Sequence, residues 1–214
     1  MSSIARRMSR FWPLIVAFGI FIFFVVSLNF TQDDAYISYR YVANFLNGHG
    51  LVYNIGERIE GITNFGWTVF MIFMGDLGAD YIWWSKIVGV LFGAGVIAVA
   101  FLIGEKLFGR EGRMYTALAT LLLGANQSLA YWSVSGLETG AFAFFAVLSL
   151  LLYLHRNWLL IFALAMAVWL RPEGAVVTGI LLITETVQTR SWPRRAVPSS
   201  TKFPPTPVSH LRSC

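Results

Sequence analysis

The chain has 214 residues, 57% of them hydrophobic, 16% aromatic and only 13% charged, where soluble domains carry about 25% charged residues. That balance excludes an ordinary soluble domain and predicts an integral membrane protein. The formal charge of +5 does not point to nucleic acid, because the basic residues sit in short clusters between apolar runs; the lone Cys214 excludes an intramolecular disulfide and a cysteine metal site.

Met1 to Arg10 carries Arg6, Arg7 and Arg10 ahead of an apolar run from Phe11 to about Phe30, which is long enough to cross a hydrocarbon core of roughly 30 Å. No small-residue cleavage site follows in SLNFTQDD, so the run predicts a retained signal anchor. Next comes the one long polar stretch, TQDDAYISYRYVANFLNGHGLVYNIGERIEGITN at 31–64. It predicts a short helix from about Asp34 to Asn47, capped by Thr31 or Asp33 and stopped by Gly48. On that helix Asp33, Ile37 and Arg40 share a stripe and Asp34 points about 100° away, so one carboxylate is expected to pair with Arg40 and the other to stay free. His49 lies in a Gly-His-Gly turn, and Glu57, Arg58 and Glu60 form a second charged cluster.

Phe65 to Met74 is too short to span and predicts an interfacial segment, followed by a tryptophan belt at Trp83 and Trp84. Further spans are expected at about 87–103, 114–131, 136–154, 158–170 and 174–187. Gly89 and Gly93 form a small-xxx-small pair suited to helix packing. Ser135 and Glu138 have the spacing of a capping box for the fourth span, His155-Arg156-Asn157 makes a turn, and Arg171-Pro172-Glu173 opens the last span. From residue 188 the chain turns basic and holds five of the seven prolines, which predicts a disordered tail on the inner leaflet or an out-of-frame end of a longer product.

The fold class expected is therefore all-α, a polytopic transmembrane bundle of about six helices (11–187) whose first external loop, 31–83, carries a short interfacial helix. Threaded from a cytoplasmic N-terminus, it puts twelve of the 16 Lys and Arg inside and leaves only Arg40, Arg58, Lys86 and Arg171 outside, as the positive-inside rule asks. Asp33, Asp34, Glu57, Glu60, Asp76, Asp80, Glu138 and Glu173 fall on the outer side, so three separate connections bring carboxylates to one face. No Walker A loop, G-x-S-x-G or H-E-x-x-H is present, which leaves soluble nucleotide chemistry unsupported. Outer carboxylates and cations beside a membrane suit a lipid-borne substrate with a phosphate leaving group. The alternatives are a small transporter or channel subunit, which calls for ionisable residues inside the spans where only Glu185 qualifies, and a non-catalytic scaffold.

DDAYISYRYVANFLNGHGLVYNIGERIEGITNFGWT, SGLETG at 135–140 and LRPEG at 170–174 resemble, in order and spacing, the N-terminal part of polyprenyl-phosphate-dependent glycosyltransferases of the GT-C fold. The likeness covers about residues 10 to 187 and is strongest to bacterial cell-wall terminal arabinofuranosyltransferases. It implies a bacterial inner-membrane enzyme that moves a sugar from a polyprenyl-phosphate donor to a cell-envelope glycan, lipid or protein acceptor on the extracytoplasmic side. It also implies an aspartate general base in the first external loop, which matches Asp33, with Asp34 beside it. Arg40, Arg58 and Arg171 are candidates for the donor phosphate by charge and side, and His49, Glu138 and Glu173 for the surrounding substrate contacts. Some relatives use a divalent cation, Mg2+ or Mn2+, for which Asp33, Asp34 and Glu138 are the expected oxygen ligands. Such enzymes carry more spans and a large C-terminal domain, so an inactive truncated transferase is a further alternative.

Overall fold

A computed structural model describes residues 3–57 and 61–191. Among them all regular structure is helical: α1 (Ser3–Leu28), α2 (Asp33–Leu46), α3 (Phe65–Asp76), α4 (Tyr81–Phe108), α5 (Arg113–Gly124), α6 (Gln127–Val134), α7 (Thr139–Leu154), α8 (Leu160–Leu170) and α9 (Gly174–Ser191). The expectations placed on Arg58, Glu60 and the tail beyond Ser191 fall outside the described residues.

Among the described residues two helices are long and apolar enough to cross a membrane, α1 over Arg10–Leu28 and α4 over its 28 residues. The other apolar helices, α3, α7, α8 and Gly174–Val187 of α9, have 10–17 residues each, where a span needs about 20. The span expected at 114–131 is two helices. α5 stops at Gly124, and the Asn126 side chain accepts the Leu129 N–H at 3.2 Å and starts α6. The tryptophans expected ahead of the next span lie inside its first turn, because Asp80 caps α4 by accepting the N–H groups of Ile82 and Trp83 at 3.0 and 3.2 Å.

α4 is the central post, with α1, α3, α5, α6 and α7 packed on it. Small residues allow that approach. A Cβ on Gly89 would collide with the Ser133 carbonyl of α6, one on Gly93 with the Ser133 hydroxyl, and one on Gly104 would stand 2.8 Å from Thr116 of α5. The Gly89/Gly93 pair is thus the α4–α6 seam. Two apolar clusters fill the bundle: Ala17, Phe21, Ile97 and Ala130 between α1, α4 and α6, and a larger one built from α2, α3, α7 and α8.

Among the described residues, ionic and polar contacts tie the helices together at the two ends of the bundle. At one end Arg10 pairs with Glu105 at 2.6 Å, tying the start of α1 to the close of α4, and Tyr153 of α7 donates to Glu185 of α9 at 3.0 Å. At the other end the Gln32 N–H donates to the Ser135 carbonyl at 3.0 Å, which fixes the entry of α2 beside the α6–α7 turn. Between the ends large apolar side chains such as Ile15, Phe23, Leu91, Leu122, Ile161 and Ile183 are exposed.

Candidate active site

Ala35, Tyr39 and Val42 of α2 recur at i, i+4 and i+7, so one face is apolar; α2 packs on α3, and that face joins Trp67 and Met71 of α3 in the buried cluster that α7 and α8 complete. Polar residues at the edge of that seam make the site. Tyr39 is 4% exposed and its hydroxyl shares a 2.8 Å hydrogen bond with Ser85; burial pushes its pKa up, and the Ser85 bond opposes this.

The centre of the site is Glu138, only 4% exposed. One carboxylate oxygen, Oε1, lies 3.1 Å from Arg171 Nε, and the other, Oε2, accepts from Asn64 Nδ2 at 2.8 Å. Asn64, itself buried, also donates to Ser38 Oγ of α2 at 3.0 Å, and its Oδ1 accepts from Thr68 Oγ1 of α3 at 3.2 Å. Trp67 Nε1 donates to the Gly136 carbonyl at 2.9 Å. Gly136 has φ +88, and a Cβ there would strike the Tyr39 hydroxyl, so the SGLE turn needs glycine at this position to sit on α2. Four segments distant in sequence (α2, the N-terminus of α3, SGLE and RPEG) therefore meet at one buried carboxylate.

This arrangement replaces the capping box expected at Ser135 and Glu138. Ser135 Oγ donates to the Trp132 carbonyl and accepts from Leu137 N–H, and the Glu138 side chain does not cap α7. A buried carboxylate is costly without partners, and here its two oxygens face a guanidinium and an amide instead of the α7 backbone.

Asp33 and Asp34 occupy the first turn of α2, whose N-cap is Gln32 rather than Thr31 or Asp33. Both are exposed and have no hydrogen-bond or ionic partner among the described residues. The helix dipole alone favours an acid there by about 0.3–1 kcal/mol. What it does not explain is their place: the Gln32–Ser135 bond sets them one and two residues from the turn that carries Glu138. The expected Asp33–Arg40 pair is not formed. Arg40 Nε donates to the Tyr53 carbonyl at 2.8 Å, its Nη2 donates to Asn54 Oδ1 at 3.0 Å, and the guanidinium stacks on the Tyr53 ring at 4.6 Å. Arg40 thus pins the loop after α2.

His49 lies past the opposite end of α2, about 20 Å along a 14-residue helix from Asp33. It is exposed in a turn that Gly48 and Gly50 shape with φ +80 and +82. Arg171 is about one-third exposed, and Glu173 Oε2 lies 3.9 Å from its Nε, at the edge of the ionic cluster. Its terminal nitrogens make no hydrogen bond among the described residues and remain available to an anion. Among the described residues no three of His, Cys, Asp and Glu gather as a metal-binding group. Glu138, one of the three carboxylates expected to share a cation, has both oxygens turned to Arg171 and Asn64. Beside Arg171 and Asn64, an apolar cleft of about 740 Å³ runs between α3, α8 and α9, lined by Phe65, Leu164, Trp169 and Pro172.

Neither Asn64 nor Ser38 was anticipated from the sequence. Asn64 closes the polar stretch just before an apolar helix, and that boundary position was the available signal.

Among curated proteins, the chain is 29% identical over 188 residues to the terminal β-(1→2)-arabinofuranosyltransferase of Mycobacterium tuberculosis. That relative is a glycosyltransferase. The match takes in 77% of this chain but 29% of the relative, so this chain spans less than a third of that protein's length. No family model matches the chain. No solved structure matches it either. The resemblance stated from the DDAYISYRYVANFL, SGLETG and LRPEG motifs holds in this comparison.

Proposed function

We propose that the chain is the membrane-embedded module of a GT-C-type glycosyltransferase, transferring a sugar from a polyprenyl-phosphate donor to an acceptor hydroxyl of the cell envelope. In this proposal α5 and α6 cross the bilayer together, α7, α8 and α9 cross as shortened helices, and with α1 and α4 they make the six crossings. The end that carries Asp33, Glu138 and Arg171 faces the extracytoplasmic side of the bacterial inner membrane, and the exposed apolar side chains between the two ends meet lipid.

The observation that carries the proposal is the meeting of α2, Asn64, SGLE and RPEG around Glu138, with two free carboxylates alongside. Asp33, with Asp34 as neighbour, takes the proton of the acceptor hydroxyl as its oxygen bonds to the anomeric carbon. The bond from that carbon to the phosphate oxygen breaks, and the leaving phosphate's charge meets the free N–H groups of Arg171. Glu138 holds Arg171 by its Nε and so leaves the outer edge of the guanidinium for bidentate contact with phosphate. The cleft between α3, α8 and α9 is apolar and adjoins Arg171, which suits the prenyl chain of the same donor.

Transfer of radiolabelled sugar from a polyprenyl-phosphate donor, in membranes expressing the chain, tests this. Incorporation above that of vector membranes, lost in Arg171→Gln, is expected. Incorporation equal to the vector control overturns the assignment, and uptake of label into vesicles without transfer favours a transporter.

A further inference from the structure

Glu185 stands apart from the site above. It lies in the apolar part of α9, at the opposite end of the bundle, where an ionised group is expensive and usually has a partner of opposite charge. Among the described side chains its one partner is the Tyr153 hydroxyl, which donates to Oε2 at 3.0 Å, and none of the ion pairs formed there includes it. Tyr153 and Glu185 line a cleft of about 620 Å³ between α7, α8 and α9. Arg156 and Trp158 form its rim, and Leu164 and Leu182 belong to its apolar wall. Arg156 has φ 50, a left-handed residue ending α7, so the turn directs the chain around the cleft at the point where the arginine stands.

Two opposite charges thus face one cleft without pairing with each other, and leucines continue from them along α8 and α9. A ligand that satisfies all three features carries an anion, a hydrogen-bonding cation and a hydrocarbon chain. We infer that this cleft is a binding site for an aminophospholipid, with its phosphate at Arg156, its primary ammonium at Glu185 and one acyl chain along Leu164 and Leu182. The exposed Trp158 sits at headgroup level, where amphipathic rings settle. A lipid with phosphate but no ammonium meets only half of the site and leaves Glu185 uncompensated.

The test uses the full chain purified in detergent and presented with an equimolar mixture of phosphatidylethanolamine and phosphatidylglycerol, with bound lipid counted by native mass spectrometry. Phosphatidylethanolamine adducts are expected to exceed phosphatidylglycerol adducts about tenfold. Glu185→Gln is expected to abolish that preference while retaining binding, and Arg156→Gln to weaken both lipids. Glu105→Gln, at the same end but outside the cleft, serves as the control and keeps the preference. Equal binding of the two lipids by the unaltered chain, or a preference that survives Glu185→Gln, overturns the assignment. Should Glu185→Gln not fold, Tyr153→Phe, which removes the one bond holding the carboxylate, is expected to reduce the preference severalfold, and an unchanged preference there is equally decisive. None of these measurements depends on sugar transfer, so the outcome stands apart from the proposed transferase activity.

Discussion

Replacing Asn64 by alanine removes the group that joins four segments. Its amide makes one bond to a carboxylate, Glu138 at 2.8 Å, and two to hydroxyls, Ser38 at 3.0 Å and Thr68 at 3.2 Å, all buried. A hydrogen bond to a charged group nets about 1.5–3 kcal/mol and a neutral one about 0.5–1.5 kcal/mol. Thr68 can turn to the residue 64 carbonyl, which it already approaches at 3.4 Å, so part of the loss is recovered. The remaining cost is about 3 kcal/mol, which for a chain of this size lowers the unfolding midpoint by roughly 6–12 °C. Thermal unfolding of the detergent-solubilised chain at one fixed scan rate, followed by Trp fluorescence, measures this directly. Asn64→Ala leaves Glu138 Oε2 buried without its amide partner while Arg171 still holds Oε1, and Glu138→Gln removes that same amide–carboxylate bond, so the two losses are expected to combine to less than their sum. Asn54→Ala, on the exposed Arg40 loop, is expected to shift the midpoint by less than about 2 °C. A shift equally small for Asn64→Ala, or strict additivity with Glu138→Gln, would refute the idea that this node holds the site together.

Further outcomes follow from the same geometry. Gly89→Ala drives a Cβ into the Ser133 carbonyl and is expected to cost about 1–3 kcal/mol, whereas Gly19→Ala, with no atom within 4 Å, is expected to stabilise α1 by up to about 1 kcal/mol; paired midpoints measure both. Tyr39 has its pKa raised in the fold by burial, so its contribution to stability is complete below the unfolded value of 10.0 and is lost as pH rises beyond it. The unfolding midpoint should therefore fall more steeply above pH 10 in the unaltered chain than in Tyr39→Phe. In a Cys214→Ser background, cysteine at position 49 is expected to react with an impermeant maleimide on intact cells and cysteine at 108 to stay unlabelled; the reverse pattern overturns the proposed sidedness.

The α7–α8 and α8–α9 turns were legible because His155-Arg156-Asn157 and Arg171-Pro172-Glu173 interrupt apolar runs with residues that helices end on. That α4 has a close-packing face was legible because Gly89 and Gly93 are small residues one turn apart; that α6 fills it was not. The start of α4 was misplaced because hydropathy weighs Trp83 and Trp84 as interface residues while the cap, Asp80, lies before them. The break at Asn126 was hidden because the residues on either side are equally apolar, and one side-chain hydrogen bond decides it. The site was less visible than the helices. Sequence spacing pairs residues along one helix, so it matched Asp33 with Arg40 and Ser135 with Glu138. The structure pairs across helices, Glu138 with Arg171 and Asn64, and gives Arg40 to Tyr53 and Asn54. What the sequence could supply was the face: carboxylates from separate turns at one end of the bundle.

The most direct test of the proposed catalysis is the rate of sugar transfer from a polyprenyl-phosphate donor by Asp33→Asn and Asp34→Asn in membranes where the unaltered chain is active. A positioned base contributes about 10²- to 10⁴-fold, so Asp33→Asn is expected to lose that factor with the folded amount of protein unchanged, and Asp34→Asn to lose less. Transfer at the unaltered rate in both variants would contradict it.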